Sequence, residues 1–268
     1  MNGRVFREAL RQAGQTTGIL AAGAGLFTYL VLFSSKSFLS EGSGFSGFFS
    51  NPPKAIQAFL GGSVNLLTPP GWVAAALTHP VMYALMTAAG VGIAAGSVAT
   101  EVERGTIDLV LGRPVGRGPY LVAKAAAAVA AVTVVEAGAL VGALVARATI
   151  DPLGRVRTAR ILGAFASSWL LFAAIALVAV MVSSRSSLRG RALGLAVGFV
   201  VGSFFLNFIA LLVNGLAGLR YVSVFHYYPP TRILSGTVPG GDLAVLAAVG
   251  VAALGAALWW FARRDLTR

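Results

Sequence analysis

Cysteine is absent from the 268 residues, which excludes a disulfide framework, a thiolate nucleophile and any Cys-ligated metal or iron–sulfur site. Charge is scarce: 11% of residues are Asp, Glu, Lys or Arg, against about a quarter in a soluble domain. Acids are the rarer sign, with 9 Asp+Glu against 21 Lys+Arg. Histidine occurs only as His79 and His226, and no carboxylate lies at helical spacing from His79, so no metal site is expected. A Gly-Lys pair is missing too, because Lys36, Lys54 and Lys124 follow Ser35, Pro53 and Ala123. The phosphate-cradling GxxxxGK pattern is therefore absent, and ATP binding by that route is excluded.

What is present is apolar. Hydrophobic residues make up 57% of the chain and mean hydropathy is +0.80, which identifies an all-α integral membrane protein. A bilayer-spanning helix needs about 20 mainly apolar residues, and the runs at 16–36, 72–99, 120–146, 159–182, 192–214 and 242–262 meet that length. The net charge of +12 is spread in short clusters between these runs. Its expected counter-charge is the surface of membrane lipid, and nucleic acid is not an expected partner.

Residues 1–15 precede the first run and place Phe6, Ala9, Leu10 and Ala13 on one helical face and Arg4, Arg7 and Arg11 on another. This predicts an amphipathic helix at the membrane interface, with simple anchoring by positive charge as the alternative. The first run is too long for the apolar segment of a cleaved signal peptide. Six spans put both termini on one side. Arg4, Arg7, Arg11, Arg113, Arg117, Arg185, Arg189, Arg191, Arg263 and Arg264 fall there in short loops and tails, so the positive-inside rule makes that side cytoplasmic in a multi-pass protein. The outer segments are 37–71, where "PPKAIQAFLGG" suits a short helix, and 216–241, whose aromatics and Pro229-Pro230 suit an interfacial or re-entrant segment. No repeat and no separate soluble domain is evident.

Between the second and third runs, residues 100–119 form the most polar stretch at this end. Thr106 can cap a short helix with Asp108 near its positive end, and Ile107, Val110 and Leu111 then share a face until Pro114 closes it. Glu101, Glu103 and Asp108 on one flank, and Arg113 and Arg117 on the other, offer charge-paired contacts to a soluble partner. An ordinary polar loop held inside by its arginines is the alternative.

Glu101, Glu103, Gly105, Thr106, Ile107, Asp108, Leu109, Leu111, Pro114, Val115, Arg117, Tyr120 and Lys124 resemble the acidic, Gly-Thr, Leu-rich, Pro-Val-x-Arg segment of ABC-2 type transporter permeases. "VFHYYPPTRILSG" is similar to that family's aromatic-proline segment before the last span, and "FARRDL" to its C-terminal ending. The resemblance covers nearly the whole chain and rests on the order and spacing of these elements. It implies an ABC-2 permease fold of the type V exporter kind, with six transmembrane helices after an amphipathic N-terminal helix. Residues 100–119 would be the coupling helix that docks on a separate ATPase, with Arg185, Arg189 and Arg191 as a secondary cytoplasmic contact or as anchors. The complex would hold two ATPase subunits, which carry ATP and Mg, and a second permease as a homodimer or heterodimer. Export at the plasma membrane follows from the same resemblance.

Polar groups within the runs are few. Glu136, near the middle of the third, would be neutral, hydrogen-bonded, or a binding group for a cation or proton. A proton-coupled secondary transporter using Glu136 is the rival function; it lacks the paired, interrupted helices common to such folds. A lone Glu136 cannot supply both acid and base, so an intramembrane enzyme has no support. His79-Pro80 predicts a kink in the second run, and Asn207 and Asn214 suit hydrogen bonds between helices in the fifth; lining a transport pathway, together with His79 and Glu136, is the alternative. Gly190, Gly194, Gly198 and Gly202 make a smooth stripe there, for packing within the subunit or between two; Gly138 and Gly142 are a shorter instance on the third. The sequence names no substrate.

Overall fold

The computed structural model describes residues 3–40, 53–59, 64–107 and 116–264. Among them are helices α1 (Gly3–Ser40), α2 (Lys54–Phe59), α3 (Pro69–Thr78), α4 (Pro80–Gly96), α5 (Ala99–Glu103), α6 (Arg117–Thr149), α7 (Asp151–Gly154), α8 (Thr158–Arg185), α9 (Arg189–Leu212), α10 (Pro230–Ser235) and α11 (Gly240–Arg263). Two 3-10 stretches, Asn214–Val222 and Val224–Tyr227, link α9 to α10, and no strand occurs among the described residues. Among the described residues, six helical segments are long and apolar enough to cross a membrane: Gly3–Phe38, Pro80–Glu103, Arg117–Thr149, Thr158–Arg185, Arg189–Leu212 and Gly240–Arg263.

α8 is the central helix. It is largely apolar and packs on α4, α6, α9, α10 and α11, as expected of a helix buried by neighbours on most of its surface. α1 lies along α6, its principal neighbour. Their backbones nearly touch: a Cβ built on Gly138 would sit 2.3 Å from the Ala21 carbonyl oxygen, and one on Gly142 2.1 Å from that of Gly25. Only glycine permits this crossing. In a bilayer, where lipid is as apolar as leucine, such close backbone packing is a main source of helix association.

The structure departs from the sequence expectation in three places. The arginine-rich N-terminal stretch is not separated from the first span, because α1 runs unbroken from Gly3 to Ser40; no proline or cap interrupts residues 3–40. The second span, by contrast, is broken rather than kinked. His79 takes an extended conformation (φ −67°, ψ 137°), ends α3 and starts α4, its Nδ1 accepting a hydrogen bond from the Val81 amide at 3.2 Å. Pro80 follows as the first residue of α4, where its missing N–H costs nothing. The ten residues of α3 (Pro69–Thr78) extend only about 15 Å, so this helix lies within the core without crossing. Third, α9 ends at Leu212, and Asn214 is an exposed residue of the 3-10 stretch rather than a polar group inside the span.

At the opposite end from the termini, residues 223–234 fold inward. Ser223, Val224, Phe225, Tyr228, Ile233 and Leu234 are buried, and α10 packs on α8 and α3. Gly236 ends α10 with φ +109°, a left-handed cap. An Arg232–Asp242 ion pair of 2.7 Å ties α10 to α11.

Candidate functional site

The segment 100–107 sits where the ends of four membrane helices converge, together with both termini. It begins at a second break, after α4, held by one side chain. Ser183 Oγ on α8 accepts from the amides of Val98 (3.2 Å) and Ala99 (3.1 Å) and donates to the Ala95 carbonyl at 2.8 Å. These are the groups left unpaired when a helix stops and restarts, so a buried hydroxyl from the neighbouring helix takes over their satisfaction. α5 then closes on Gly105, whose φ of +66° needs glycine. The Gly105 amide donates to Val102 O and the Thr106 amide to Glu101 O.

Two of the three acids that the sequence offers to a partner, Glu101 and Glu103, are engaged within the chain. Glu101 accepts from Tyr120 Oη at 2.6 Å and forms an ion pair with Lys124, also at 2.6 Å, on α6. Glu103 accepts from the Arg189 amide at 2.8 Å, placing a carboxylate on the positive N-terminus of α9. Thr106 Oγ1 donates back to the Glu101 carbonyl at 3.3 Å, and Ile107 is buried in the core. Arg117 at the start of α6 donates to the carbonyls of Ala262 (3.2 Å) and Arg264 (2.8 Å), capping α11. Arg264 in turn donates to Ser184 O (2.7 Å) and Ser186 O (3.2 Å) at the end of α8. Asp108, Leu111 and Arg113 lie outside the described residues.

The secondary-contact arginines differ among themselves. The Arg185 guanidinium stacks on Trp260, 4.5 Å from the ring centroid. Arg189 is exposed, with its side chain beside Gly96, and Arg191 is exposed.

Away from this end, Glu136 is 5% exposed; one carboxylate oxygen accepts from Ser168 Oγ on α8 at 3.1 Å and the other has no partner. A cluster of aromatic rings joins α4, α8 and the stretch before α10: Tyr83 on α4 packs on Phe172 of α8 (5.9 Å between centroids), Phe225 (5.1 Å) and Tyr228 (6.4 Å). The Tyr228 hydroxyl and Asn207 Oδ1 are buried without partners as well. His79 is a helix cap packed on Phe27 at 5.0 Å, and no group of metal-ligating side chains occurs among the described residues. His226, between α9 and α10, is lowered below its usual pKa first by burial and then by Arg220, so its imidazole is neutral near pH 7.

The α9 stripe also has a distinct environment. A Cβ added at Gly190, Gly194, Gly198 or Gly202 meets nothing within 4 Å among the described residues. The internal close approach belongs instead to Gly25, Gly138 and Gly142. Their sequence signal was present in the third span, but its partner on α1 is a single glycine within an Ala-Gly run. Sequence reasoning also passed over Ser183, which is visible only as one of two adjacent serines near the end of the fourth span.

No curated protein matches the chain. Residues 54–266 match the family described as ABC-2 family transporter protein, and that stretch contains the break at Ser97, the segment 100–107, the inward-folded residues 223–234 and the arginine caps. That match covers most of the chain, which therefore belongs to the ABC-2 family of transporter proteins as a membrane-spanning subunit whose complex includes an ABC ATPase.

Proposed function

We propose that this subunit is an exporter permease in the plasma membrane, both termini cytoplasmic, and that residues 100–117 couple it to the ATPase. The observation that carries the reading is the set of ties from this segment, and from the break at residues 95–99 directly before it, to the ends of four membrane helices. Glu101 holds Lys124 and Tyr120 of α6, Ser183 of α8 holds the α4–α5 break, Glu103 holds the start of α9, and Arg117 holds the end of α11. A displacement imposed on the segment would reach all four helices at once. That is what alternating access driven from outside the membrane requires, since a stiff contact network with two arrangements transmits small shifts.

ATP and Mg bind on the ATPase, two copies of which serve two permeases. The stripe Gly194, Gly198 and Gly202, unoccupied among the described residues, is the face on which the second permease packs, identical or different. The docking contacts themselves are carried by Asp108, Leu111 and Arg113, because the carboxylates of Glu101 and Glu103 are engaged internally.

The test is a pull-down of the tagged, detergent-solubilised chain from its native membrane, with ATPase assay and mass spectrometry of the eluate. A stoichiometric ATPase is expected with the native sequence and is lost with Asp108→Lys plus Arg113→Glu. Glu101→Ala should retain the ATPase while transport falls, because the tie to α6 is broken behind the joint. A native chain without ATPase, or a complex indifferent to the double charge reversal, would sink the coupling assignment.

A further inference from the structure

Against the same segment lies a cavity of about 650 Å³, walled by α1, α4, α5 and α6 and by Arg189 at the start of α9. That volume falls within the roughly 300–1,000 Å³ range of small-molecule sites. Its lining is sorted by depth, and three helices agree on the direction. On α1 the wall passes from Glu8 and Gln12 to Leu20, a rise of about 12 Å from Gln12 inward. On α4 and α5, running the other way, it passes from Ala88 and Ala89 through Gly92 and Ile93 to Thr100 and Arg104. On α6 it passes from Lys124 to Ala127. The deep end is therefore apolar and the end near the chain termini is polar and charged.

The charges there are not equivalent. Lys124 is committed to Glu101, and Glu8 accepts from Gln12 at 2.9 Å. The guanidiniums of Arg104 and Arg189 have neither an ion pair nor a hydrogen-bond acceptor among the described residues. Two uncommitted guanidiniums at the mouth of a cavity with an apolar floor match a phosphate group carrying a hydrocarbon chain, since the planar fork of arginine accepts phosphate oxygens in pairs.

We propose that this cavity is a binding site for an anionic phospholipid, with its phosphate between Arg104 and Arg189 and the first part of an acyl chain along Leu20, Ala89, Gly92 and Ile93. The lipid touches α1 and the segment 100–107 at once, so its occupancy sets the spacing between the N-terminal helix and the coupling segment. This goes beyond the coupling assignment and does not depend on it, because lipid binding is read on the permease alone.

The test uses the purified full chain in detergent, by native mass spectrometry and thermal stability, with phosphatidylglycerol, phosphatidylcholine or inorganic phosphate added. Phosphatidylglycerol should stay bound and raise the melting temperature, whereas phosphatidylcholine and inorganic phosphate should do neither. Arg104→Gln with Arg189→Gln should weaken phosphatidylglycerol binding about tenfold or more, the loss of two charge-assisted hydrogen bonds. Gly92→Leu should weaken it as well with an unchanged size-exclusion profile, because a Cβ at Gly92 meets nothing within 4 Å and the larger side chain grows into the cavity. Equal retention of phosphatidylglycerol by both variants, or equal binding of phosphatidylcholine, would overturn the site. Protection by inorganic phosphate equal to that by the lipid would overturn the lipid as its occupant.

Discussion

Gly138 and Gly142 on α6 repeat every four residues, as do Gly194, Gly198 and Gly202 on α9; yet a methyl group added to the first pair runs into the backbone of α1, whereas one added to the second series meets nothing within 4 Å. The α6 pair is half of an internal joint, completed by Gly25. The α9 stripe is a smooth surface that nothing among the described residues packs against. The same spacing thus marks two different things, and only the position of the opposing helix tells them apart. In a membrane small residues lower the cost of close approach without specifying which helix approaches.

The largest test of this contrast is Gly142→Leu. Its side chain must displace the Gly25 carbonyl, 2.1 Å from the first atom added, and overpacking against immovable backbone costs on the order of 3 kcal/mol or more. Loss of the monodisperse protein in fluorescence-detected size exclusion is expected, and a well-behaved variant would show that α1 and α6 do not cross here. Gly25→Ala is the graded version. Its Cβ sits 2.8 Å from the Gly138 carbonyl oxygen, so a cost of about 1–3 kcal/mol is expected as a lowered thermal midpoint.

Gly198→Leu should leave the folded permease within about 0.5 kcal/mol of the native sequence. If α9 is the face between permeases, it should also shift dimers toward monomers in crosslinking or mass photometry. An unchanged dimer would leave the stripe facing lipid. The smallest effect is Gly194→Ala, which should stabilise α9 by about 0.4–1 kcal/mol, since alanine loses less backbone freedom on folding and nothing opposes its methyl group.

Much of the architecture was legible because the bilayer imposes length and polarity on each element. The runs at 120–146, 159–182 and 242–262 lie inside α6, α8 and α11, and the family match agrees with the resemblance carried by residues 101–124. Breaks were harder to see. His79-Pro80 signals a disturbance, but whether the helix bends or stops depends on the cap that His79 supplies and on Phe27 packing against it. The second break, at Ser97, has no proline and depends on a hydroxyl from α8, 85 residues away in sequence from Val98. The internal partners of Glu101 and Glu103 were hidden for a related reason. A carboxylate in a polar loop suggests a partner outside the chain, and only the folded arrangement brings Lys124 and the Arg189 amide to them. Glu136, for which the sequence leaves several roles open, accepts a hydrogen bond from Ser168 on a neighbouring helix.

The way the helix ends are fastened bears on how the assembled transporter should respond to its medium. Arg117 and Arg264 terminate on backbone carbonyls, which carry no net charge and do not titrate, and the Lys124–Glu101 pair is only 13% and 22% exposed. Mobile ions screen exposed charges over about 8–10 Å and act much less on shielded ones. The fastening by Arg117, Arg264 and the Lys124–Glu101 pair should accordingly respond little to ionic strength, in contrast to the more exposed Arg232–Asp242 pair at the other end. Salt that uncouples ATP hydrolysis from transport would be loosening the joint between chains, and a simple titration with potassium chloride can separate a fault in that joint from a fault within this subunit.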